Sequence, residues 1–245
     1  YDRSRRRLFA SRDRFGKKPF YYMHRPGLFA FASELTALGA HRAVRTSVSP
    51  LALKKFFAYG YIPAPLSILE GIYKLPGGHC LEHDLGSGAL RVWKYWDFVI
   101  EPFEDIPANA ETQWCEKLRT LLDRAVKRRL ISDVPIGSFL SGGIDSSAVS
   151  ALAARELGPG RLNTYSIGFE ESSFDETVYA RRVADFIQSR HSVKTLSIET
   201  AREVASSVLG RLDEPLGDSS LLPTYLLCGF ARQHVTVAIG GDGGD

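Results

Sequence analysis

One turn limits the possible folds of this chain more than any other segment does. Residues 139–147 read FLSGGIDSS, in which two adjacent glycines and several side-chain oxygens separate two apolar runs. The run Val134–Leu140 predicts a buried strand and the run Ile144–Leu157 predicts a helix. Glycine lets an anion approach the backbone closely, and the first turn of a helix offers unpaired N–H groups. The segment therefore predicts a strand–loop–helix unit that binds polyphosphate.

The spacing distinguishes this loop from two familiar phosphate-binding patterns. The turn has no lysine of the GxxxxGK[ST] pattern, and GxGxxG is absent from it. Instead it offers Asp145, and a carboxylate beside phosphate requires a cation such as Mg²⁺, which accepts oxygen ligands from both. The alternative is that Asp145 and Ser146 only cap the helix. Capping accounts for either residue alone, but not for both glycines and two serines after a buried strand.

The second part of the chain alternates between helical and strand patterns. Helices are predicted at 112–130, 144–157, 175–187, 201–212 and 221–233, and strands at 134–140, 163–169, 191–198 and 235–239. Such alternation predicts an α/β fold with a doubly wound, mostly parallel sheet. Ligands of these sheets bind outside the carboxyl ends of the strands. The turns after Leu140, Phe169 and Ile239 are therefore the candidate ligand-binding loops.

The first part of the chain has the pattern of antiparallel β structure. Short aromatic runs at 7–10, 20–23 and 28–31 predict strands, and 80–83 with 90–93 predict a hairpin. Residues 33–38 predict a short helix with Ser33 as its N-cap. Residues 59–79 are rich in glycine and proline and predict a surface loop. Residues 101–109 predict a linker.

Composition excludes several classes of protein. The net charge of the 245 residues is only +3, which gives no argument for nucleic-acid binding. Three widely spaced cysteines predict neither a disulfide framework nor a zinc site, and fit a reducing cytoplasm. No signal peptide and no apolar stretch near the roughly 20 residues of a membrane span is present, so no membrane partner is expected. The chain begins at Tyr1 and ends at Asp245, and we expect both ends to be cuts through a longer protein.

The motif SGGIDSS resembles the pyrophosphate loop of the N-type ATP pyrophosphatases, and DVPIGSFLSGGIDSS is similar to the glutamine-hydrolysing asparagine synthetase family. The same family resemblance extends, in order, over RDRFGKKPFYY, FASEL, GIYKLPGGH, SIGFEESSFDE, DEPLGDSSLLPTYLL and GGDGGD. It implies an adenine-nucleotide alpha-hydrolase-like sheet preceded by part of an α+β N-terminal nucleophile glutaminase domain. The implied boundaries are 1–98 for the C-terminal portion of the glutamine amidotransferase type 2 domain, 99–111 for a linker and 112–245 for an incomplete synthetase domain.

The resemblance also implies roles for individual residues. Adenosine would be held by Leu140 and Ile167, although both could simply be core. The pyrophosphate loop would comprise Ser141, Gly142, Gly143, Asp145, Ser146 and Ser147. A second nucleotide contact would come from Gly240, where the family commonly has serine, and from Gly241.

Two acids follow those glycines. By resemblance Asp242 would serve in forming the acyl-adenylate, and Asp245 would help Asp145 to hold Mg²⁺. Gly-Asp-Gly-Gly-Asp could also be an ordinary turn. In residues 213–220 the family places groups near the nucleotide and the acyl substrate, although Ser219 or Ser220 could equally be a helix N-cap. His191 is expected to be structural.

The implied reaction uses ATP and Mg²⁺ to activate aspartate as β-aspartyl-AMP, which ammonia from glutamine then converts to asparagine. In the family the glutaminase cysteine stands at the mature chain start, whereas this chain begins at Tyr1, and the catalytic lysine of the synthetase lies beyond Asp245. By resemblance we therefore expect this chain to be an inactive fragment of an active enzyme. Alternatives are a related amidotransferase acting on another carboxylate (β-lactam, peptide or exopolysaccharide related) and a non-catalytic nucleotide-binding module. A homodimer is a possible assembly.

Overall fold

The computed structural model describes residues 1–102, 105–170 and 175–243. The chain divides into two compact units, each described separately below. Residues 1–102 with 211–218 form unit 1, and residues 103–210 with 219–245 form unit 2. The short segment 211–218 therefore folds with unit 1, although the residues on both sides of it in the chain belong to unit 2.

Unit 1 contains two antiparallel sheets, as its aromatic runs predict. Its strands are β1 (Arg7–Ser11), β2 (Tyr21–Arg25), β3 (Leu28–Ala32), β4 (Ile72–Lys74), β5 (His79–Asp84) and β6 (Leu90–Lys94). One sheet has the order β1-β5-β6 and the other β3-β2-β4. The predicted hairpin is confirmed, because β5 pairs with β6 from His79 opposite Lys94 to His83 opposite Leu90.

Two helices of unit 1 differ from the sequence prediction. The helix α1 (Leu35–Gly39) has Glu34, not Ser33, at its N-cap position, and no side chain of that residue caps it. The predicted N-cap at Ser33 is therefore wrong. The helix α2 (Pro50–Tyr59) is absent from the prediction, although Ser49 caps the Ala52 amide and Gly60 ends the helix at φ 76°. The predicted surface loop 59–79 is also wrong in part, because β4 lies within it.

The core of unit 1 lies on both faces of the sheet that contains β2. Successive side chains of a strand point to opposite faces. Tyr21 packs in one apolar cluster with Leu35 and Ile72, and Tyr22 packs in another with Leu75 and Leu81. The polar-to-apolar alternation typical of a sheet with one wet face is therefore missing from β2, whose first three residues are all buried.

Unit 2 alternates helix and strand as predicted. Its elements are α3 (Ala110–Arg129), β7 (Ile136–Phe139), α4 (Ile144–Leu157), β8 (Asn163–Phe169), α5 (Thr177–Phe186), β9 (Arg190–Leu196), α6 (Ile198–Leu209), α7 (Leu221–Ala231) and β10 (Val237–Ile239). The four strands form one parallel sheet with the order β10-β7-β8-β9. The predicted α/β fold with a parallel sheet is confirmed.

Helices cover both faces of this parallel sheet. Ile136 and Phe139 lie three residues apart on β7 and so point to opposite faces. Ile136 packs against the cluster that contains Val126 of α3 and Ala153 of α4. Phe139 packs against the cluster that contains Ala231 of α7. This is the doubly wound arrangement that the alternating pattern predicts.

Among residues 1–102, 105–170 and 175–243, no helix combines the length and the apolar character that crossing a membrane requires.

Candidate functional site

The strand order of unit 2 creates a crevice between β7 and β10. From β7 the chain proceeds to β8 and β9 on one side, and then returns to place β10 on the other side of β7. The order of winding therefore reverses between these two neighbouring strands. In open α/β sheets this switch point is where ligands bind. The two loops concerned are residues 140–143 and 240–243.

A cavity of about 1310 Å³ opens at this end of the sheet. The predicted site residues on its wall are Leu140, Ser141, Gly143, Asp145, Ser146, Ile167, Gly241 and Asp242. Its other walls come from the ends of β8 and β9 and from α5, α6 and α7. The structure therefore brings most of the predicted residues to one cavity, although they come from three separate parts of the chain.

The helix α4 begins beside the glycine pair. Gly143 is its N-cap residue and makes no side-chain cap, so neither Asp145 nor Ser146 occupies the N-cap position. The Ser146 hydroxyl accepts a hydrogen bond from the Ser141 amide at 3.2 Å and lies 3.2 Å from the Gly143 carbonyl, to which it donates. The hydroxyls of Ser141 and Ser146 are 2.9 Å apart. These bonds hold the loop against the helix, while Asp145 remains on the cavity wall.

Gly142 is required by packing as well as by its backbone conformation. Its φ is +87°, a conformation that favours glycine. A Cβ added there would lie 2.6 Å from the Tyr179 Cβ and 2.7 Å from the Ala180 nitrogen. The loop is therefore pressed against the first turn of α5.

The glycine-rich loop after β10 approaches the start of α4 closely. A Cβ on Gly241 would lie 2.6 Å from the backbone nitrogen of Ser146 and 2.9 Å from the carbonyl carbon of Asp145. Only a residue without a side chain fits this approach. As a result Asp145 and Asp242, nearly 100 residues apart in the chain, line the same cavity.

Four predicted residues are not brought to the cavity wall. Gly142, Ser147 and Gly240 are absent from the described lining, and Asp245 lies outside the described residues. The Ser147 hydroxyl is buried without a hydrogen-bond partner within the described part of the chain. Ser147 sits one position further along α4 than Ser146, so the turn of the helix carries its side chain away from the cavity.

Leu140 and Ile167 are predicted at the adenosine site. Leu140 is only 1% exposed and packs with Ala180 and Ala184 of α5, yet it also lines the cavity. Its amide donates to the Tyr165 carbonyl at 3.0 Å and its own carbonyl accepts from the Ser166 hydroxyl. Core packing and cavity lining are therefore not alternatives for Leu140, because one residue does both.

Buried hydroxyls tie the site to the sheet, and the sequence pattern does not predict them. Ser138 on β7 and Ser150 on α4 are fully buried, and their hydroxyl oxygens are 2.9 Å apart. The Ser138 hydroxyl also lies 3.4 Å from the Ile239 carbonyl of β10. The only available signal was a polar residue within an otherwise apolar strand, where a buried hydroxyl needs a partner.

The charge of the described cavity lining is mainly acidic. Four acids, Asp145, Glu170, Glu176 and Asp242, line it together with one base, Arg202. Glu170, Glu176 and Arg202 were not predicted as site residues. Carboxylate oxygens are the ligands that Mg²⁺ prefers, so these acids are the residues of the wall that could hold such a cation. The described residues contain no cluster of three or more His, Cys, Asp or Glu side chains suited to a metal.

Residues 213–220 separate into two parts. Ser219 and Ser220 line the cavity, and Ser220 also occupies the N-cap position of α7. Asp213 and Glu214 instead bond within unit 1, to the Leu35 and Ile68 amides respectively. The described cavity lining of unit 2 therefore includes the second half of this motif.

His191 has the structural environment expected for it. Its Nδ1 lies 3.0 Å from the Thr164 hydroxyl, and its Nε2 is buried without a partner among the described residues. Burial, with a smaller effect of the Arg181 charge, lowers the pKa of His191 below its usual value, although Asp185 opposes this. The imidazole lies at the start of β9 and is not part of the described cavity lining.

Comparison with known proteins identifies two family matches. Residues 117–245 match the family model of asparagine synthase, and residues 1–96 match that of the glutamine amidotransferase domain. Among curated relatives, a putative asparagine synthetase (glutamine-hydrolyzing) 2 of Methanocaldococcus jannaschii is 37% identical over 247 residues, covering 100% of this chain and 47% of the relative. A putative asparagine synthetase (glutamine-hydrolyzing) of Mycobacterium tuberculosis is 32% identical, covering 100% of this chain and 38% of the relative.

The chain therefore spans less than half the length of these two relatives. Among solved structures, the NH3-dependent NAD synthetase from Campylobacter jejuni in complex with the nitrate ion is 18% identical, with a TM-score of 0.35, over 54% of this chain and 56% of that chain. A structural similarity of this strength supports no inference about function.

Proposed function

Because the chain belongs to the asparagine synthase family, we propose that it carries the nucleotide site of an enzyme that activates a carboxylate with ATP and then aminates it. One observation carries the proposal. The loop Ser141–Gly143 and the loop at Gly241–Asp242 meet at the switch point of the parallel sheet and bring two carboxylates to one cavity. A site that only bound an anion would gain nothing from acids on its wall.

In this proposal the apolar part of the cavity holds adenosine. Leu140 and Ile167 contact the base and ribose at the carboxyl ends of β7 and β8. The phosphates lie toward the start of α4, where the first N–H groups have no partner within the helix and the helix dipole favours negative charge. Gly143 and Gly241 let the backbone approach the phosphates, as glycine does in other phosphate loops.

Mg²⁺ would be held by Asp145 together with Asp245, and it would neutralise charge that develops on the departing pyrophosphate. Asp242 lies on the same wall as Asp145 and is proposed to act on the acyl group. The fixed N–H groups at the start of α4 contribute in the same direction, because they point at the leaving group before the reaction begins.

The proposed reaction has two steps. A carboxylate oxygen of the substrate, aspartate in this proposal, attacks the α-phosphorus of ATP, and the bond from that phosphorus to pyrophosphate breaks. Ammonia released from glutamine then attacks the acyl carbon of β-aspartyl-AMP, loses a proton, and expels AMP as the carbon–oxygen bond breaks. The products are asparagine, AMP and pyrophosphate.

The test is to identify the nucleotide products of the intact protein. Purified protein is incubated with ATP, Mg²⁺, aspartate and an ammonium salt, and nucleotides and amino acids are separated by chromatography. The proposal expects AMP and asparagine in equal amounts, and no AMP when aspartate is omitted. ADP as the main product would contradict the proposal. AMP formation that requires a carboxylate other than aspartate would show that the acyl substrate is not aspartate.

A further inference from the structure

The face of α6 that lines the cavity of unit 2 is aliphatic except for one residue. The residues of this helix on the cavity wall are Ile198, Ala201, Arg202 and Ala205. Their spacing of three, four and seven positions places them on one side of an α-helix. Two of the aliphatic side chains are only methyl groups, so they leave space around the arginine.

The position of Arg202 is set by a capped helix. The Ser197 hydroxyl accepts a hydrogen bond from the Thr200 amide at 3.1 Å, and so satisfies one of the free donors of the first turn. The helix then continues to Leu209 and buries Val208 near its end. Arg202 therefore stands in the second turn of a regular helix and not on a loop.

Arg202 is the one base among the described residues of the cavity wall. The same wall carries four acids, Asp145, Glu170, Glu176 and Asp242. Arg202 forms no ion pair with any of them, and its guanidinium makes no hydrogen bond within the described part of the chain. The residue is exposed. An arginine left unpaired on an acidic wall keeps all of its donors free for a ligand.

The charges of the wall limit what Arg202 can bind. By the proposed function the cavity receives two anions, a nucleotide and a carboxylate substrate, and the acids of the wall oppose both. Mg²⁺ and the start of α4 compensate the phosphates. Of the described wall residues, Arg202 alone attracts the carboxylate substrate. A guanidinium group binds a carboxylate through two parallel hydrogen bonds, which adds directional specificity to the charge.

The order of strands separates Arg202 from the phosphate loop. The helix α6 follows β9, whereas the loop 140–143 follows β7, and β8 lies between these two strands. Because neighbouring strands are about 4.8 Å apart, the carboxyl ends of β7 and β9 lie roughly 10 Å apart. The carboxylate that attacks the α-phosphorus must lie beside the phosphates, near the start of α4. Arg202 is therefore placed to meet a different anionic group of the same substrate.

We propose that Arg202 determines substrate specificity by binding a second carboxylate of the acyl substrate, the one that is not activated. The inference rests on the proposed function of the cavity and narrows its substrate class to acids with two carboxylates. In aspartate the second group is the α-carboxylate. Its pairing with Arg202 leaves the side-chain carboxylate free to approach the α-phosphorus.

Two pairs of substrates test this assignment in the unmodified protein. β-Alanine is aspartate without its α-carboxylate, and 4-aminobutyrate is glutamate without its α-carboxylate. Pyrophosphate release is measured with the intact protein, ATP, Mg²⁺, an ammonium salt and each acid in turn. We expect the better dicarboxylate to exceed its partner in kcat/KM by about ten- to a hundredfold, the effect of losing a hydrogen bond to a charged group.

The outcomes separate the inference from the proposed function. A monocarboxylate that reacts as well as its dicarboxylate partner would overturn the inference and leave the proposed reaction intact. No pyrophosphate release with any of the four acids would contradict the proposed function and the inference together.

Variants test the residue itself. Arg202→Met keeps a high helix propensity and removes the charge. We expect it to raise the KM for aspartate by about ten- to a hundredfold, with little change in the KM for ATP, and to remove the advantage of aspartate over β-alanine. Arg202→Lys retains the charge without the planar fork and should recover part of the loss. Arg119→Met is the matched control, because Arg119 is exposed on α3 and is not in the described cavity lining.

An equal rise in the KM for ATP and for aspartate would overturn the inference, because Arg202 would then act on the nucleotide or on the fold. So would an Arg202→Met variant that still prefers aspartate to β-alanine by the factor of the unmodified protein. If Arg202→Met does not fold, Arg202→Gln is judged by the same ratio between the two acids.

Discussion

Gly241 lies so close to Ser146 that a Cβ on the glycine would be 2.6 Å from the serine backbone nitrogen. The two residues belong to loops after different strands, and Gly241 lies 95 positions further along the chain than Ser146. This approach joins the two halves of the proposed nucleotide site, because it sets Asp242 and the start of α4 around one cavity. Gly240, its neighbour, has no comparable constraint, since its nearest contact would be 3.8 Å away.

Gly241 and its neighbour Gly240 therefore offer a matched test of the close approach between the two loops. Gly241→Ala should lower the free energy of unfolding by about 1–3 kcal/mol, the range typical of overpacking, and should weaken ATP binding, because the two loops that form the site must move apart. Gly240→Ala should bind ATP almost as the unmodified protein does. Titration calorimetry on both variants measures the difference. Equal losses in the two variants would contradict the arrangement.

Gly142 should be important for stability. Gly142→Ala places a side chain at φ +87° and against the backbone of α5, so it should lower the free energy of unfolding by about 1–3 kcal/mol. Gly143→Ala is the control, because a Cβ there would meet only the Ser141 hydroxyl, at 3.3 Å. Urea unfolding of both variants gives the comparison. The prediction is wrong if Gly143→Ala is the more destabilised variant.

Asp145→Ala should abolish Mg²⁺-dependent turnover of the intact protein and leave its fold intact. Loss of an acid in the first turn of a helix costs only about 0.3–1 kcal/mol of stability. Loss of a metal ligand at the leaving group should reduce the rate by orders of magnitude, since each 1.36 kcal/mol in the barrier is about tenfold. Glu199→Ala is the control, because Glu199 occupies the first turn of α6 but is not on the cavity wall. Near-normal turnover with a lower melting temperature would mean that Asp145 acts only on the helix.

The two serines at the start of α4 should behave in opposite ways. The Ser147 hydroxyl is buried without a partner among the described residues, so Ser147→Ala should preserve or raise the melting temperature. Ser146→Ala removes bonds to the Ser141 amide and the Gly143 carbonyl, so it should lower both the melting temperature and ATP affinity. Thermal unfolding with and without ATP compares them. A loss of turnover in Ser147→Ala alone would indicate that Ser147 contacts the pyrophosphate after all.

His191 should make stability depend on pH. Its pKa in the folded protein is lowered by burial, so below the ordinary value near 6.5 the unfolded chain binds a proton that the folded protein does not. The contribution of the neutral His191 to the free energy of unfolding is therefore fully present above pH 6.5 and is lost as the pH falls through the lower folded-state pKa. Chemical unfolding at pH 7.5 and 5.5 should show a smaller loss for His191→Gln than for the unmodified protein. Replacement of the exposed His41 by Gln should not reduce the loss.

Sequence patterns predicted the local elements of unit 2 well. The strand Asn163–Phe169 and the helix Ile144–Leu157 have the predicted bounds, because hydrophobic periodicity is a local property of consecutive residues. The same holds for the FLSGGIDSS turn, whose glycines and oxygens lie within nine residues. Local patterns predict unit 1 less well, because Glu34 rather than Ser33 occupies the N-cap position of α1 and the helix α2 is absent from the prediction.

The sequence by itself therefore determined the strand–loop–helix unit, the parallel α/β class of unit 2 and the family of the chain. The tertiary structure alone decided that Gly241 reaches Ser146, that Ser138 bonds Ser150, and that Asp213 rather than Ser33 caps α1. Each of these contacts joins residues that are far apart in the chain or on different elements, and so leaves no periodic signal. They depend on the order of strands in the sheet and on where a short segment packs. Both are determined by the free energy of the whole fold rather than by any local sequence pattern.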